Sequence, residues 1–275
     1  MPTEALTTAG LTPADMAGCL ALSEGAGWNQ SAEDWNIFFR HGTVFGIEEG
    51  GRLVASGAVL PYPSGGFGWV SMVLVAASMR GRGLGTRILH RCIEALRGDG
   101  LCPVLDATPA GERIYRPLGF RTQFGLTRWR GLSGGDAPHG TRALRADLPA
   151  ALDAAAFGAD RHFLLAELLR RAPANAFTLD NGNGFVLARP GRAALQIGPL
   201  VAESEADAAR LLDAALAAAQ GPVLLDLADR WTGLAAHLRA RGFTPERPYN
   251  RMALDRAEPF GDPARLFVVA GPELG

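Results

Sequence analysis

A β-type run, a glycine loop and the start of an amphipathic helix decide the fold of this chain: Val73-Leu74-Val75-Ala76-Ala77-Ser78-Met79-Arg80-Gly81-Arg82-Gly83-Leu84-Gly85-Thr86. The helix predicted at residues 86–96 carries its apolar side chains on one face. Backbone N–H groups at a helix start lack intrahelical acceptors and lie at the positive end of the helix dipole, so they favour an anion. Glycines let the backbone approach that anion closely. The stretch therefore predicts a strand–loop–helix unit that binds phosphate.

Two common phosphate-binding loops fit this stretch less well. A Walker loop is excluded because no Gly-Lys-Ser/Thr sequence follows the glycines. A dinucleotide-binding loop requires G-x-G-x-x-G, and the third glycine position counted from Gly81 is Thr86. Asp106 lies at a distance along the chain that suits ribose binding, so this alternative stays open. Such a loop normally follows the first strand of its unit, whereas helices and a hairpin precede this one.

The elements predicted on both sides of the loop alternate between helices and strands, which indicates a mixed α/β (α+β) sheet. A helical region at 11–40, interrupted near 25–28, comes first. Two strands at 44–48 and 53–60 follow, joined by a tight turn at Gly50-Gly51, and a long strand at 69–75 leads into the loop and its helix. The remaining elements before residue 131 are a strand at 103–107, a short helix at 111–118 and a strand at 124–130.

Two later motifs accompany the spacing of residues within the loop. Arg80, Gly83 and Gly85 are spaced as Arg, two residues, Gly, one residue, Gly, and Tyr115 is followed by Leu118-Gly119-Phe120. With the order of elements, these motifs resemble the GNAT (GCN5-related) N-acetyltransferase superfamily, whose loop has Arg or Gln, then Gly, then Gly or Ala at this spacing. The resemblance covers about residues 10–130. It implies the GNAT fold, acetyl-CoA as co-substrate and transfer of an acetyl group to an amine.

The resemblance also implies roles for individual residues. Tyr115 would protonate the leaving thiolate of CoA. Trp28, Asn29 and Trp35 would lie on the acceptor side, with core packing as the alternative for both tryptophans. Pro103 stands where some members have a glutamate general base, so no base is assigned. The residues implied for binding acetyl-CoA are Val73, Leu74, Val75, Arg80, Gly81, Arg82, Gly83, Leu84, Gly85, Thr86 and Thr108, the last in place of a common asparagine.

The second half of the chain repeats landmarks of the first. Asp106 and Asp226 match at an offset of 120, and Arg128 and Arg251 match at 123. Turn capping is the expected role of the two aspartates, which stand at matching strand ends. A linker-like composition at 131–138 separates the halves. These observations predict tandem GNAT-like domains of the two-domain bacterial type.

The second domain is expected to be degenerate. Where the first half has its glycine loop, the second has Glu203, Glu205 and Asp207. Their carboxylates would repel a phosphate. We therefore expect residues 1–132 to form the catalytic domain with the acetyl-CoA site, and residues 140–275 to form a domain that shapes the acceptor site.

Composition excludes several other classes of protein. The 275 residues are 48% hydrophobic with a formal net charge of -1, so the chain is foldable and has no basic excess for nucleic acid. The most apolar run, 70–79, is far shorter than the ~20 residues of a membrane helix, and no signal-peptide pattern is present. Three cysteines without metal-type spacing are expected to be buried thiols of a reducing compartment, so we expect a cytoplasmic protein without a metal.

Together these features predict an acetyl-CoA-dependent N-acetyltransferase that acts on the amine of a small molecule, an amino acid or a peptide. We expect a monomer or homodimer that binds neither nucleic acid nor membrane. Two alternatives stay open. One is a non-catalytic sensor that binds acyl-CoA, and the other is a nucleotide-binding oxidoreductase.

Overall fold

The computed structural model describes residues 7–275, which form two compact units. The first unit ends at Val104 and the second is Leu105–Gly275. The elements of the first unit are β1 (Thr8–Gly10), α1 (Met16–Gly25), α2 (Ala32–His41), β2 (Thr43–Glu49), β3 (Arg52–Tyr62), β4 (Phe67–Val75), α3 (Leu84–Gly98) and the beginning of β5 (Cys102–Ala107).

The first four strands pair antiparallel in chain order, and β4 then pairs in parallel with β5. Between β2 and β3 the chain turns at Gly50 and Gly51, whose φ angles of 58° and 72° lie in the left-handed region that glycine adopts without a steric penalty. The predicted hairpin, long strand and loop helix are confirmed, as are the two helices expected within residues 11–40.

Helix α3 packs on the sheet through the apolar face that its sequence predicts. Ile88, Cys92 and Leu96 are fully buried and recur every four residues. Two strand glycines allow the close approach: a Cβ on Gly57 would lie 2.3 Å from Cγ2 of Ile88, and a Cβ on Gly68 would lie 2.3 Å from Cδ2 of Leu96. These contacts set how closely α3 lies on β3 and β4, and so fix the loop that precedes it.

The expectation of buried thiols is confirmed for two of the three cysteines. Cys19 and Cys92 are free and buried, and burial raises the pKa of both thiols to about 12. Cys102, at the start of β5, is only partly buried, and its Sγ donates to the carbonyl of Pro103 at 3.8 Å.

The second unit contains the end of β5 and all later elements. These are α4 (Pro109–Tyr115), β6 (Phe120–Leu132), β7 (Thr141–Ala143), α5 (Ala150–Phe157), α6 (His162–Arg171), β8 (Phe177–Leu179), β9 (Phe185–Arg189), β10 (Leu195–Val201), α7 (Glu205–Ala218), β11 (Pro222–Ala228), α8 (Thr232–Ala240), β12 (Thr244–Leu254) and β13 (Leu266–Val268). Its strands follow the order β5-β12-β6-β11-β13-β10-β9-β8-β7. Within residues 7–275, no helix has both the length and the apolar character needed to cross a bilayer.

In each sequence repeat, the strand that carries the matched arginine, Arg128 in β6 and Arg251 in β12, lies among strands of the other repeat. β6, which precedes the linker-like stretch, lies between β12 and β11, which follow it. β12 in turn lies between β5 and β6. Each repeat therefore completes its sheet with a strand from the other, and the compact units do not coincide with the sequence repeats.

Two buried ion pairs accompany this exchange of strands. Arg128 binds both carboxylate oxygens of Asp226, at 2.8 and 2.9 Å, and Arg251 binds both oxygens of Asp106 at 2.9 Å. The expected turn-capping role of the two aspartates is therefore wrong. Both carboxylates are enclosed, and each faces an arginine of the other repeat, which supplies the counter-charge that a buried carboxylate requires.

Candidate functional site

The glycine loop leaves the start of α3 open to an anion. Gly81 and Gly83 have φ angles of 78° and 76°, and Gly83 is the N-cap residue. No side chain caps this helix, and its first turn contains no acidic residue. Arg87 is the first residue whose N–H bonds back, to the carbonyl of Gly83 at 3.1 Å. The N–H groups of Leu84, Gly85 and Thr86 thus have no intrahelical acceptor.

Arginine side chains lie around the loop. Nε of Arg80 donates to the carbonyl of Val75 at 3.3 Å, which ties the loop to the end of β4. Arg82 forms an exposed ion pair with Glu49 at 3.0 Å. A pocket of about 610 Å³ beside the loop is lined by Thr8, Gly83, Thr86, Arg87, His90, Arg91 and Glu94. Arg87 and Arg91 thus place positive charge beside the helix start, which strengthens its preference for an anion.

A bulge in β4 lies just before the predicted residues Val73, Leu74 and Val75. Met72 is buried and has a φ of 53°, which is rare for a residue with a side chain. The register with β3 shifts at this point, opposite Gly57, and Oγ of Ser56 donates to the carbonyl of Met72 at 3.0 Å. β-Bulges often change the direction of a side chain beside an active site. Sequence analysis missed this feature, although a glycine inside a strand pattern is its usual signal.

The end of β4 that leads into the loop lies beyond its pairing with β5. That parallel pairing ends at Trp69 and Val104, and β4 continues to Val75. No strand within residues 7–104 continues the pairing on that edge. Backbone groups of Val73 to Val75 are therefore available to a ligand in the first unit, next to the open start of α3.

In the second unit, Thr108 is the N-cap of α4 and Tyr115 is the last residue of that helix. The hydroxyl of Thr108 caps the helix by accepting a hydrogen bond from N–H of Gly111 at 3.2 Å, a role that sequence analysis did not assign. The ring of Tyr115 packs on Phe120 with centroids 5.9 Å apart. A Cβ on Gly111 would lie 3.2 Å from the Tyr115 hydroxyl oxygen, so the phenol lies back along its own helix.

The predicted acceptor residues lie in different surroundings. Trp35 is fully buried in the first unit and donates from Nε1 to Oγ of Ser23 at 2.9 Å, so it packs in the core of that unit. Trp28 is partly buried and Asn29 is buried, in the segment that joins α1 to α2. Next to them, Oε1 of Gln30 is buried and accepts no hydrogen bond from residues 7–275. That oxygen could accept from an amine.

In the second repeat, side chains already occupy the corresponding helix start. Ser204 caps α7, its hydroxyl accepting from N–H of Asp207 at 3.1 Å. The carboxylate of Glu205 accepts from N–H of Leu234 at 3.1 Å, in the first turn of α8. Negative charge at a helix start is stabilising. Side chains of the chain itself therefore place negative charge at the starts of α7 and α8, whereas the first turn of α3 has no acidic residue.

Strand β13 also fills the edge that corresponds to the open edge of β4. It pairs with β10 at Leu200–Val268 and Val201–Leu266, and with β11 at Leu227–Val268. Trp231 stacks on Phe267 with centroids 4.1 Å apart and donates from Nε1 to the carbonyl of Leu266 at 2.8 Å. Strand β13 therefore covers in the second repeat the edge that is open on β4 in the first unit.

Comparison with protein families explains this arrangement. The GNAT acetyltransferase family matches residues 18–120, and a second acetyltransferase (GNAT) domain family matches residues 150–268. The chain carries two GNAT domains. In this tandem GNAT protein the open helix start of α3 lies in the first matched region, and the filled start of α7 lies in the second.

Relatives and solved structures agree with the assignment. The uncharacterized N-acetyltransferase YitH of Bacillus subtilis is 28% identical over 244 residues, covering 83% of this chain and 84% of the relative. Glucosamine 6-phosphate N-acetyltransferase 1 of Oryza sativa subsp. japonica is 41% identical over 85 residues, which are 28% of this chain and 52% of the relative.

Solved structures show the same fold across both repeats. A putative acetyltransferase from Pyrococcus horikoshii superposes with a TM-score of 0.86 at 19% identity, covering 100% of this chain and 98% of that one. A tandem GNAT protein from the clavulanic acid biosynthesis pathway gives a TM-score of 0.62 at 16% identity, covering 90% and 98%. The dinucleotide-binding alternative does not fit this fold, since the strand before the loop pairs antiparallel with β3.

Proposed function

We propose that this chain is an acetyl-CoA-dependent N-acetyltransferase whose acceptor is an amine of a small molecule, an amino acid or a peptide. The observation that carries the proposal is the contrast between two helix starts. The α3 start is open, glycine-lined and surrounded by arginine, whereas α7 is closed by Ser204 and Glu205. The proposal assigns catalysis and the single acetyl-CoA site to residues 1–132, and assigns residues 140–275 to shaping the acceptor site.

Each part of acetyl-CoA is assigned to a group of residues. N–H groups of Leu84, Gly85 and Thr86 would hold the pyrophosphate, with Arg80 and Arg82 nearby. Backbone groups of Val73 to Val75 would line the pantetheine arm, next to the bulge at Met72. The acceptor amine attacks the thioester carbonyl, and a backbone N–H of β4 would stabilise the oxyanion that forms.

Tyr115 would complete the reaction as the acid. Collapse of the tetrahedral intermediate breaks the C–S bond, and the phenol donates its proton to the departing thiolate. The proton that the attacking nitrogen loses as the amide forms restores the phenol. An ordinary phenol is a weaker acid than an ordinary thiol, so the transfer alone is uphill by about 2 kcal/mol. Coupling to thioester cleavage offsets this cost. Thr108 caps the helix that carries Tyr115, and we propose no direct contact between its hydroxyl and acetyl-CoA.

The acceptor must be neutral to attack. With Pro103 at the position of the family's glutamate, the proposal includes no general base. An amine as basic as that of lysine is only ~0.04% neutral at pH 7, which costs about 4–5 kcal/mol, whereas an α-amine loses only about 1 kcal/mol. An α-amine or another weakly basic amine is therefore the favoured acceptor. Trp28, Asn29 and Oε1 of Gln30 are the groups proposed to contact it. The free thiols favour a cytoplasmic location.

The direct test is a panel of amines incubated with acetyl-CoA and the full chain, with release of the CoA thiol as the signal. Thiol release that depends on both an amine and the protein would support the proposal. Binding of acetyl-CoA without transfer to any amine would instead support a non-catalytic acyl-CoA sensor.

Gly85→Val is expected to weaken acetyl-CoA binding by about 10- to 150-fold, the effect of losing one charge-assisted hydrogen bond. Gly85 lies in the first turn of α3, and a Cβ there meets only Cγ2 of Val75, at 3.4 Å. Gly85→Ala is the matched control, because the family loop allows Ala at this position. Calorimetric titration of both variants would measure the difference. Equal, wild-type-like affinity in both would remove the loop from the proposed site.

A further inference from the structure

We infer that Asn250 and Arg251 are positioning residues for Tyr115. They act through contacts that β12 makes with α4 and with the end of β5, the strand that precedes α4. The inference rests on the acid role proposed for Tyr115. It assigns the second repeat a part in the chemistry that goes beyond shaping the acceptor site.

The first contact fixes the point where α4 begins. Arg251 binds both oxygens of Asp106 at 2.9 Å, and the two side chains are almost fully buried. The guanidinium also lies 5.0 Å from the ring centroid of Phe124. Asp106 stands two residues before Thr108, the N-cap of α4. A bidentate pair of this kind constrains orientation as well as distance, so the start of the helix is held by a residue of the other repeat.

The second contact holds the body of the helix. Nδ2 of Asn250 donates to Oε2 of Glu112 at 2.7 Å, and Nε of Arg116 donates to the other carboxylate oxygen at 2.6 Å. These two hydrogen bonds lower the pKa of Glu112 below its ordinary value, so the carboxylate stays charged. Glu112 precedes Tyr115 by three residues and is therefore its neighbour on the helix surface.

Helix α4 is short and lies near the surface, so it depends on tertiary contacts of this kind. It has seven residues, and none of its side chains is buried. Helices this short are marginal on their own and rely on tertiary contacts. Successive residues of a strand point to opposite faces, so Asn250 and Arg251 hold the α4 segment from two directions. A reacting group displaced by about 1 Å can cost 100-fold in rate.

The test compares Asn250→Ala and Arg251→Lys with a matched control, Arg128→Lys. The control weakens an equivalent buried pair, Arg128–Asp226, which precedes α8 instead of α4. Both test variants should lower kcat by roughly 10- to 100-fold with unchanged affinity for acetyl-CoA. In a Tyr115→Phe background they should lower kcat no further, because residues that act through one group are not additive. Arg128→Lys should leave kcat close to wild type.

Amide hydrogen exchange supplies a readout that needs no acceptor. Exchange at residues 109–118 should rise in both test variants and not in Arg128→Lys. Unchanged exchange there, or a fall in kcat of equal size with and without Tyr115→Phe, would overturn the inference. If Tyr115→Phe itself leaves kcat unchanged, or if wild type transfers no acetyl group, the proposed function fails instead. The exchange experiment would then still decide whether β12 holds α4.

Discussion

Tyr115→Phe is expected to lower kcat for acetyl transfer by roughly 10- to 1000-fold, the range for loss of a general acid. Affinity for acetyl-CoA should not change, because the loop that would hold the pyrophosphate lies at α3. The fold should also persist, since the phenyl ring can keep its packing on Phe120. The rate is measured by thiol release with the best amine of the panel, and affinity by calorimetry.

Tyr62→Phe is the control for this experiment. Tyr62 is fully buried at the end of β3, where it pairs with Phe67 at the end of β4 remote from the loop. Loss of its hydroxyl should affect stability and leave kcat unchanged. If Tyr115→Phe behaves in the same way, Tyr115 is a packing residue of the Phe120 corner and not the acid.

Residues 1–132 alone are expected not to fold, although they contain the whole sequence repeat that carries the loop. Both edges of β6 pair with strands beyond the linker-like stretch, β11 on one side and β12 on the other. The fragment would also leave Arg128 and Asp106 without their partners. Breaking a buried pair costs about 3–5 kcal/mol. Two such losses are comparable with the whole stability of a domain, about 5–15 kcal/mol.

Circular dichroism during urea unfolding would test this, with the full chain for comparison. Co-expression of 1–132 with 133–275 is the informative control, because the two fragments should associate and restore a cooperative transition. A cooperative transition in the isolated 1–132 fragment would show that the exchanged strands are not required for folding.

Local patterns predicted most of the first unit. The turn at Gly50-Gly51, the apolar face of α3 and the glycine loop each depend on residues close together in the chain. The backbone at Gly81 and Gly83 adopts the left-handed angles that only glycine takes easily. The resemblance to the GNAT family rested on the glycine loop together with Tyr115, Leu118-Gly119-Phe120 and the order of elements, and the family matches bear it out.

Features that depend on contacts between distant residues were not predictable in this way. The offsets of Asp106 and Arg251 showed a repeat, but not that each arginine pairs with the aspartate of the other repeat. Burial of Trp35 depends on the packing of α1 against α2, and the residues next to Trp35 in the sequence do not specify that packing. The place of strand β13 between β10 and β11 likewise follows from topology alone.

The central claim is that one of the two GNAT domains binds acetyl-CoA and the other is closed by its own chain. Calorimetric titration of the full protein with acetyl-CoA tests this most directly. We predict a stoichiometry near one per chain, with binding strongly weakened by Gly85→Val and retained by Gly85→Ala. A stoichiometry near two would contradict the claim, as would a single site that Gly85→Val leaves intact.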